Sequence, residues 1–138
     1  MKDLDLLSLS NGTSKNIKIG ELSSDVISTL GLNLKPQNIY VWTPRIQEHC
    51  EKHKLEYSSS ESYYSAIRSI PEIIKNPDYV GIHSNGNIQY IKKIDDISLI
   101  GVKLVKQSGL LFRTIYPITD DKLNHYLKIN KIKPIKKG

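Results

Sequence analysis

Two histidines, His49 and His53, stand one helical turn apart in the segment TPRIQEHCEKHKL (residues 43–55). Threonine followed by proline is typical of a helix start, so the segment predicts one helix with Thr43 as its N-cap. The inward-facing stripe at positions i, i+3, i+4 and i+7 consists of Ile46, His49, Cys50 and His53. Because histidine exchanges protons near neutral pH, this stripe predicts acid–base chemistry.

Cleavage of RNA is the acid–base reaction that these residue types suit. A base takes the proton of the 2′-hydroxyl, whose oxygen attacks the adjacent phosphorus, and an acid protonates the leaving 5′-oxygen. Cations and hydroxyl donors stabilise the phosphoryl oxygens, and the reaction requires no metal or other cofactor. The catalytic candidates are His49, His53, Lys103, Thr114 and Tyr116. The candidates for RNA contact are Arg45, Arg113, Tyr90 and Lys106.

Two other interpretations of the histidine pair remain open. In one, the pair holds zinc, although zinc needs a third ligand and the zincin motif has glutamate where Cys50 stands. In the other, one histidine packs in the core and the other is solvated. Cys50 itself lies in the middle of the predicted helix rather than at its N-terminus, which favours a buried, inert thiol over a nucleophile.

The chain has 138 residues and a net charge of +6, which favours a polyanion such as RNA or DNA, or an anionic membrane surface, as partner. A generally basic proteome explains the same charge. The length predicts one domain, and the single cysteine excludes an internal disulfide. We find no apolar run of about 20 residues and no signal-peptide pattern. We therefore expect a cytoplasmic protein with no membrane partner, and delivery into a target cell stays open.

The hydrophobic pattern divides the chain into a polar lead-in over residues 1–16, a domain over residues 17–127 and a frayed basic tail over residues 128–138. In the first half of the domain, alternating isoleucines predict a short strand, and SSDVISTLGL predicts a helix that Ser23 or Ser24 caps and Gly31 ends. A β-rich segment over residues 38–42 precedes the histidine segment, and a second helix covers about residues 61–70.

In the second half, the turn signals Asn85-Gly86 and Ser108-Gly109 predict two hairpins, and therefore four antiparallel strands. The first turn places Gly81 opposite Tyr90. Thr119 predicts the cap of a last helix. The expected fold class is α+β, with N-terminal helices packed on one side of a four-stranded antiparallel meander sheet and a C-terminal helix.

A two-residue loop at Ser108-Gly109 also predicts which side chains share a face of the sheet. Lys103 then pairs with Thr114, and Tyr116 lies on the same face. This polar face suits a phosphate, although a solvated sheet face shows the same pattern. The histidines then reach Thr114 only from the edge of the sheet or across a cleft. The opposite face holds Ile100, Val102, Leu104, Ile115 and Arg113.

Three stretches of the sequence resemble the barnase/EndoU/colicin/RelE-like superfamily of phage- and mobile-element-associated nuclease domains. They are EHCEKH (residues 48–53), IPEIIKNPDYV (residues 70–80) and RTIYPIT (residues 113–119). The resemblance implies helices against a four-stranded antiparallel sheet, and metal-independent RNase activity. By position, the resemblance implies that His49 and His53 are the helix histidines of the family and that Thr114 and Tyr116 are its late-strand T-x-Y motif. It also implies that Arg45 is a phosphate clamp, and Lys103 matches the family only loosely.

We therefore expect a small endoribonuclease, a toxin or effector that cleaves RNA such as tRNA. A toxin needs an immunity protein or antitoxin, which should be acidic because it has to cover a basic cleft. The alternatives are a non-catalytic RNA-binding or phage-associated module on the same fold, and a metal-dependent hydrolase that uses His49 and His53.

Overall fold

The structure, a computed structural model, describes residues 15–105 and 109–136. These residues form one mixed sheet, in which only β2 and β6 are parallel neighbours. Its strands are β1 (Asn16–Leu22), β2 (Gln37–Trp42), β3 (Tyr79–Ile82), β4 (Ile88–Lys93), β5 (Ile97–Val105), β6 (Gly109–Ile118) and β7 (Ile132–Pro134). Their spatial order is β1-β2-β6-β5-β4-β3-β7.

Short helices connect the strands. Within the described ranges they are α1 (Ser24–Leu30), α2 (Pro44–Glu48), a 3₁₀ segment (Cys50–Glu56), α3 (Ser60–Arg68), α4 (Ile70–Lys75) and α5 (Asp120–Lys128). The predicted caps of α1 and α5 are confirmed, because the side chains of Ser23 and Thr119 accept hydrogen bonds from backbone N–H groups of the first turn. In this part of the chain, no helix is long and apolar enough to cross a bilayer.

The predicted fold class is wrong, because the sheet has seven strands rather than four. The predicted meander is present as β3 to β6, but β1 and β2 extend it on one side and β7 on the other. The edges of a meander carry unpaired backbone N–H and C=O groups, and pairing with β2 and β7 satisfies part of them. Strand β7 lies in the segment that we expected to be a frayed tail, and it follows α5, so α5 is not the last element.

Helices cover both faces of the sheet rather than one. The main hydrophobic cluster lies on one face, where residues of β5 and β6 such as Ile100 and Ile115 pack with Tyr63 of α3 and Ile73 of α4. The second cluster contains Leu99, Ile118 and Ile132 from the strands together with Tyr126 of α5. Neighbouring residues of a strand point to opposite faces. Helix α5 therefore packs on the face opposite to α3 and α4.

The strands β5 and β6 do not have the predicted register. The two-residue loop is wrong because the paired strand ends leave three residues between them, and these residues, 106–108, lie outside the described ranges. Lys103 consequently does not pair with Thr114. The pairs at this end of the hairpin are Val105 with Gly109, Leu104 with Leu110 and Lys103 with Leu111.

A β-bulge in β6 shifts the register again. Gly101 pairs with Thr114, whereas the next residue, Val102, pairs with Phe112. Arg113 is therefore the extra residue, and such bulges change the direction in which the following side chains point. Because of this bulge, Phe112 packs in the main cluster with 1% exposure, while Thr114 lies on the opposite face.

The first predicted hairpin is present, but its register differs by one residue. A hydrogen bond from the backbone N–H of His83 to the carbonyl of Asn87 (2.8 Å) closes a longer turn, in which Gly86 has a φ of +90°. Gly81 therefore pairs one residue earlier in β4 than Tyr90. A shift of one residue exchanges the two faces of a strand, and it turns Tyr90 into the main cluster.

Candidate active site

The histidines lie in a segment that changes from α-helix to 3₁₀ geometry between them. Helix α2 ends at Glu48, His49 has φ −113° and ψ −46°, and the 3₁₀ segment begins at Cys50. The prediction of one continuous helix over residues 43–55 is therefore wrong. The predicted inward stripe divides accordingly: Ile46 (2% exposed) and Cys50 (0%) are buried in the main cluster, whereas His49 and His53 are half-buried.

Thr43 fixes the start of this segment in a way that the sequence did not predict. It occupies the predicted N-cap position, with Pro44 as the first residue of the helix, but its side chain makes no capping hydrogen bond. Instead, its Oγ1 accepts a hydrogen bond from the backbone N–H of Lys15 (3.1 Å), and its own N–H donates to the Lys15 carbonyl (2.9 Å). These two bonds tie the beginning of α2 to the residue that precedes β1.

The segment packs against the edge of β6 where β2 no longer pairs with it. Only two residue pairs join β2 to β6, and they end at Leu111. Beyond this point the Arg45 Nε–H donates a hydrogen bond to the Arg113 carbonyl (2.6 Å), and Cys50 is hydrogen-bonded to the backbone of Ile115. Helix α2 and the 3₁₀ segment therefore replace β2 at this edge, and this replacement positions both histidines.

The two imidazole rings contact each other and a tyrosine of β6. The ring centroids of His49 and His53 are 6.1 Å apart with an edge-on arrangement, and the centroids of His53 and Tyr116 are 5.6 Å apart. On its other side, the Nδ1 of His53 lies 2.6 Å from Oε2 of Glu56. The expectation that the histidines approach this strand from the sheet edge therefore agrees with the structure.

His49 lies among positive charges. Burial, as the largest cause, and the neighbouring Arg45, Lys52, His53 and Arg113 together lower its pKa from the ordinary 6.5 to about 4. At neutral pH the ring is therefore uncharged and able to accept a proton. The pKa of Arg45 is also lowered, first by burial and then by Arg113. Two guanidinium groups close to a neutral imidazole make a site that suits a phosphate.

Thr114 and Tyr116 lie on the face of β6 opposite to Ile115. The Oγ1 of Thr114 is buried and has no hydrogen-bond partner within the described ranges. Tyr116 is half-buried, and burial raises the pKa of its hydroxyl, which therefore stays protonated and able to donate a hydrogen bond. Alternation along β5 places Lys103 on the same face as Thr114, but diagonally rather than directly opposite, and its side chain is exposed.

One predicted RNA contact, Tyr90, does not belong to this arrangement. Tyr90 is 0% exposed in the main cluster, so its ring is not available for stacking on a base, and burial raises the pKa of its hydroxyl. The prediction for Tyr90 therefore does not fit this structure. Lys106 lies outside the described residues. The structure brings together Arg45, His49, His53, Arg113, Thr114 and Tyr116.

Glu56 is a site residue that the sequence reasoning missed. It stands three residues after His53 and contacts its Nδ1. Side chains three or four residues apart on a helix are neighbours, so the spacing of His53 and Glu56 in the sequence was a signal that could have identified this contact. The contact fixes the orientation of the ring. In the protonated state of His53 it becomes an ion pair.

Two other chemically reactive side chains, Cys50 and His83, do not take part in this site. Cys50 is buried, and burial raises its pKa to about 12. The Nδ1 of His83 accepts a hydrogen bond from the backbone N–H of Asn85 in the β3–β4 turn. Within residues 15–105 and 109–136, no three His, Cys, Asp or Glu side chains lie together as metal ligands. A metal bound by His49 and His53 therefore lacks a third protein ligand there.

A comparison with protein families gives one match. The model of the family described as phage-Barnase-EndoU-ColicinE5/D-RelE like nuclease 3 matches residues 17–125, which include every element from β2 to β6 and all the site residues above. The comparisons find no match to the chain among curated proteins or among solved structures. The family match confirms the resemblance that the three sequence stretches indicated.

Proposed function

Because the chain belongs to the phage-Barnase-EndoU-ColicinE5/D-RelE like nuclease 3 family and is thus a nuclease-type domain, we propose that it is a metal-independent endoribonuclease. The observation that carries the proposal is the grouping of His49, His53 and Tyr116 at the edge of β6 that β2 leaves, with ring centroids 6.1 Å and 5.6 Å apart. Two proton-transfer groups beside two guanidinium groups are what cleavage by the 2′-hydroxyl requires.

In the proposed mechanism His49 is the general base. Its lowered pKa, about 4, leaves it neutral at physiological pH, so it takes the proton of the 2′-hydroxyl. The 2′-oxygen then attacks the neighbouring phosphorus. Arg45 and Arg113 both lower the pKa of His49, so their guanidinium groups lie near its ring. They bind the phosphoryl oxygens and stabilise the charge that develops on them.

His53 is the general acid. Protonated and oriented by Glu56, whose Oε2 lies 2.6 Å from Nδ1, it donates its Nε2 proton to the leaving 5′-oxygen as the phosphorus–oxygen bond breaks. The products are a 2′,3′-cyclic phosphate and a 5′-hydroxyl end. In this mechanism the hydroxyls of Thr114 and Tyr116 donate hydrogen bonds to the phosphate, and Lys103 adds positive charge on the same face.

The decisive experiment is cleavage of total RNA or tRNA by the pure protein in EDTA, followed by mapping of the RNA ends. We expect cleavage in EDTA with 2′,3′-cyclic phosphate ends. His49→Ala and His53→Ala should lower the rate by roughly 10²- to 10⁴-fold, whereas the matched control His83→Ala, which alters a turn histidine outside the site, should keep full activity.

Three other results would contradict the proposal. Binding of RNA without cleavage would favour a non-catalytic RNA-binding module, whose affinity should fall steeply with salt. Cleavage that requires an added divalent metal would favour a metal-dependent hydrolase. Ends that carry a 5′-phosphate would exclude attack by the 2′-oxygen, since that reaction leaves a 5′-hydroxyl.

We also propose that the nuclease acts as a toxin or effector held in check by an acidic immunity protein or antitoxin. The net charge of +6 supports an acidic partner. Expression of the wild-type chain in bacterial cells should arrest growth, and expression of His53→Ala should not. Equal growth of the two strains, at equal protein levels, would contradict the toxin role while leaving the enzymatic proposal intact.

A further inference from the structure

Two lysines flank the ring of Tyr126 on the face of the sheet that α5 covers. The Nζ of Lys131 lies 4.5 Å from the ring centroid and the Nζ of Lys122 lies 5.8 Å from it. We call these two residues the lysine pair. Within the described ranges, neither belongs to an ion pair. The aromatic ring therefore holds two ammonium groups in position without neutralising them.

The lysine pair is connected to the candidate active site through two tyrosines. Tyr126 is 8% exposed and belongs to the second hydrophobic cluster, against which Tyr116 packs. Tyr116 in turn contacts His53, with ring centroids 5.6 Å apart. Tyr126 is also among the groups that raise the pKa of Tyr116, so His53, Tyr116, Tyr126 and the lysine pair follow one another along the face of the sheet that α5 covers.

An anion that lies between or above the two ammonium groups is attracted to both, and a chain of phosphates is the anion that an RNA substrate supplies. More positive charge continues beyond the pair, because Lys128 and Lys133 are also exposed on α5 and β7. The only carboxylates of α5 stand at its first turn, as Asp120 and Asp121, where they complement the helix dipole.

Resting on the proposed function, we propose that Lys122 and Lys131 bind phosphates of the RNA chain beyond the scissile phosphate, so that the enzyme acts on extended RNA rather than on short fragments. An RNA strand bound at His53 then passes over Tyr116 and reaches α5. These lysines bind phosphates rather than bases, so their contacts do not depend on the RNA sequence.

The first test measures RNA binding in a His53→Ala background, so that chemistry plays no part. The variant Lys122→Gln/Lys131→Gln is compared with Lys35→Gln/Lys75→Gln, which removes the same charge from exposed lysines outside the second cluster. Fluorescence anisotropy with a long single-stranded RNA over a salt series gives the slope of log binding constant against log salt concentration. For the first variant the magnitude of this slope should be smaller by about 1.4, at about 0.7 per phosphate contact. The control variant should keep the slope of the background protein.

The second test measures cleavage with the histidines intact. For the lysine-pair variant we expect kcat/KM on a long RNA to fall about tenfold, in line with the loss of two phosphate contacts, and kcat/KM on a dinucleotide to stay unchanged. Lys122→Arg/Lys131→Arg, which keeps the charges, should restore both binding and cleavage. Circular dichroism of each variant checks that α5 is folded.

An unchanged salt slope, or an equal loss on long RNA and dinucleotide, would overturn the inference. An equal loss would mean that the lysine pair only supports the packing of Tyr126. If the wild-type protein cleaves no RNA at all, the proposed function fails, but the salt slope still decides whether the lysine pair binds RNA. The two proposals therefore fail separately.

Discussion

Strand β6 passes between two very different environments within four residues. Phe112 and Ile115 are 1% and 0% exposed in the main cluster, where aliphatic and aromatic side chains surround them. Thr114 and Tyr116 are half-buried on the opposite face, and His53 contacts Tyr116. One strand thus serves both the core and the candidate site, and the direction of each side chain alone decides which role a residue has.

The same contrast holds for groups of the same chemical type. Tyr90 and Tyr116 are both tyrosines of the sheet, but Tyr90 is fully buried in the core, whereas the ring of Tyr116 contacts that of His53. Cys50 and His49 are adjacent in the chain, yet the first is buried and the second is half-buried among cations. Chemical availability therefore follows the direction in which each side chain points, toward the core or toward the site at the edge of β6 that β2 leaves.

The largest expected effects separate stability from activity. Phe112→Ala should lower the free energy of unfolding by about 3–5 kcal/mol, because it leaves a cavity in the main cluster. His53→Ala should change it by no more than about 1 kcal/mol, although it should remove most of the activity. Urea denaturation and RNA cleavage assays on both variants check this. A His53→Ala protein as unstable as Phe112→Ala would mean that the edge belongs to the core.

The two tyrosines give a smaller contrast. Tyr116→Phe removes a hydroxyl at the site and should lower kcat on RNA about tenfold. Tyr90→Phe removes a buried hydroxyl that has no hydrogen-bond partner within the described ranges, so it should keep full activity and be neutral or slightly stabilising. Thermal denaturation and steady-state kinetics measure both effects. Loss of activity in Tyr90→Phe but not in Tyr116→Phe would contradict the assignment of Tyr116 to the site and of Tyr90 to the core.

The pH dependence tests the cationic surroundings of His49. Since its pKa is about 4 in the folded protein and 6.5 ordinarily, the acid limb of kcat/KM should lie near pH 4. The unfolded chain binds more protons between these two values, so stability contributed by His49 is complete above pH 6.5 and is lost as the pH falls toward 4.

Arg113→Gln removes one of the charges that lower this pKa. The pKa of His49 should therefore rise but stay below 6.5, because burial is the largest cause. Proton NMR titration of the imidazole and the pH profile of kcat/KM follow the change, and Lys103→Gln, which is not among the causes, is the control. A pKa that does not respond to Arg113→Gln would place the guanidinium away from the ring.

The smallest expected effect is an absence of reaction. Cys50 is buried and its pKa is raised to about 12, so the native protein should not react with a thiol reagent such as iodoacetamide at neutral pH. The same reagent should label the protein in urea, as mass spectrometry detects. Rapid labelling of the native protein would show that the segment from α2 to the 3₁₀ helix opens readily.

Local pattern explains what the sequence predicted correctly. The caps at Ser23 and Thr119 and the presence of the two hairpins depend on residues within a few positions of one another. The histidine pair and its nuclease family were also visible locally, because the family's residues occur in short stretches. The sequence predicted all six residues that meet at the site edge as site residues, although it placed Arg113 on the opposite, apolar face.

Register was harder to predict, because it depends on how many residues each turn contains. One additional turn residue in the first hairpin moved Tyr90 from a predicted RNA contact into the core. In the second hairpin, a three-residue connection and the bulge at Arg113 changed the partners of Lys103 and Thr114. A shift of one residue exchanges the faces of a strand, so small local errors change which residues can meet.

The sequence by itself determined most of the strands and helices, the acid–base residue types and the family of this protein. Tertiary structure alone decided that β2 pairs with β6 over only two residues and that α2 and the 3₁₀ segment occupy the remaining edge. The physical reason is that an unpaired sheet edge must be satisfied by whichever part of the chain reaches it. No local pattern encodes that choice, and here it is the choice that brings the histidines to Tyr116.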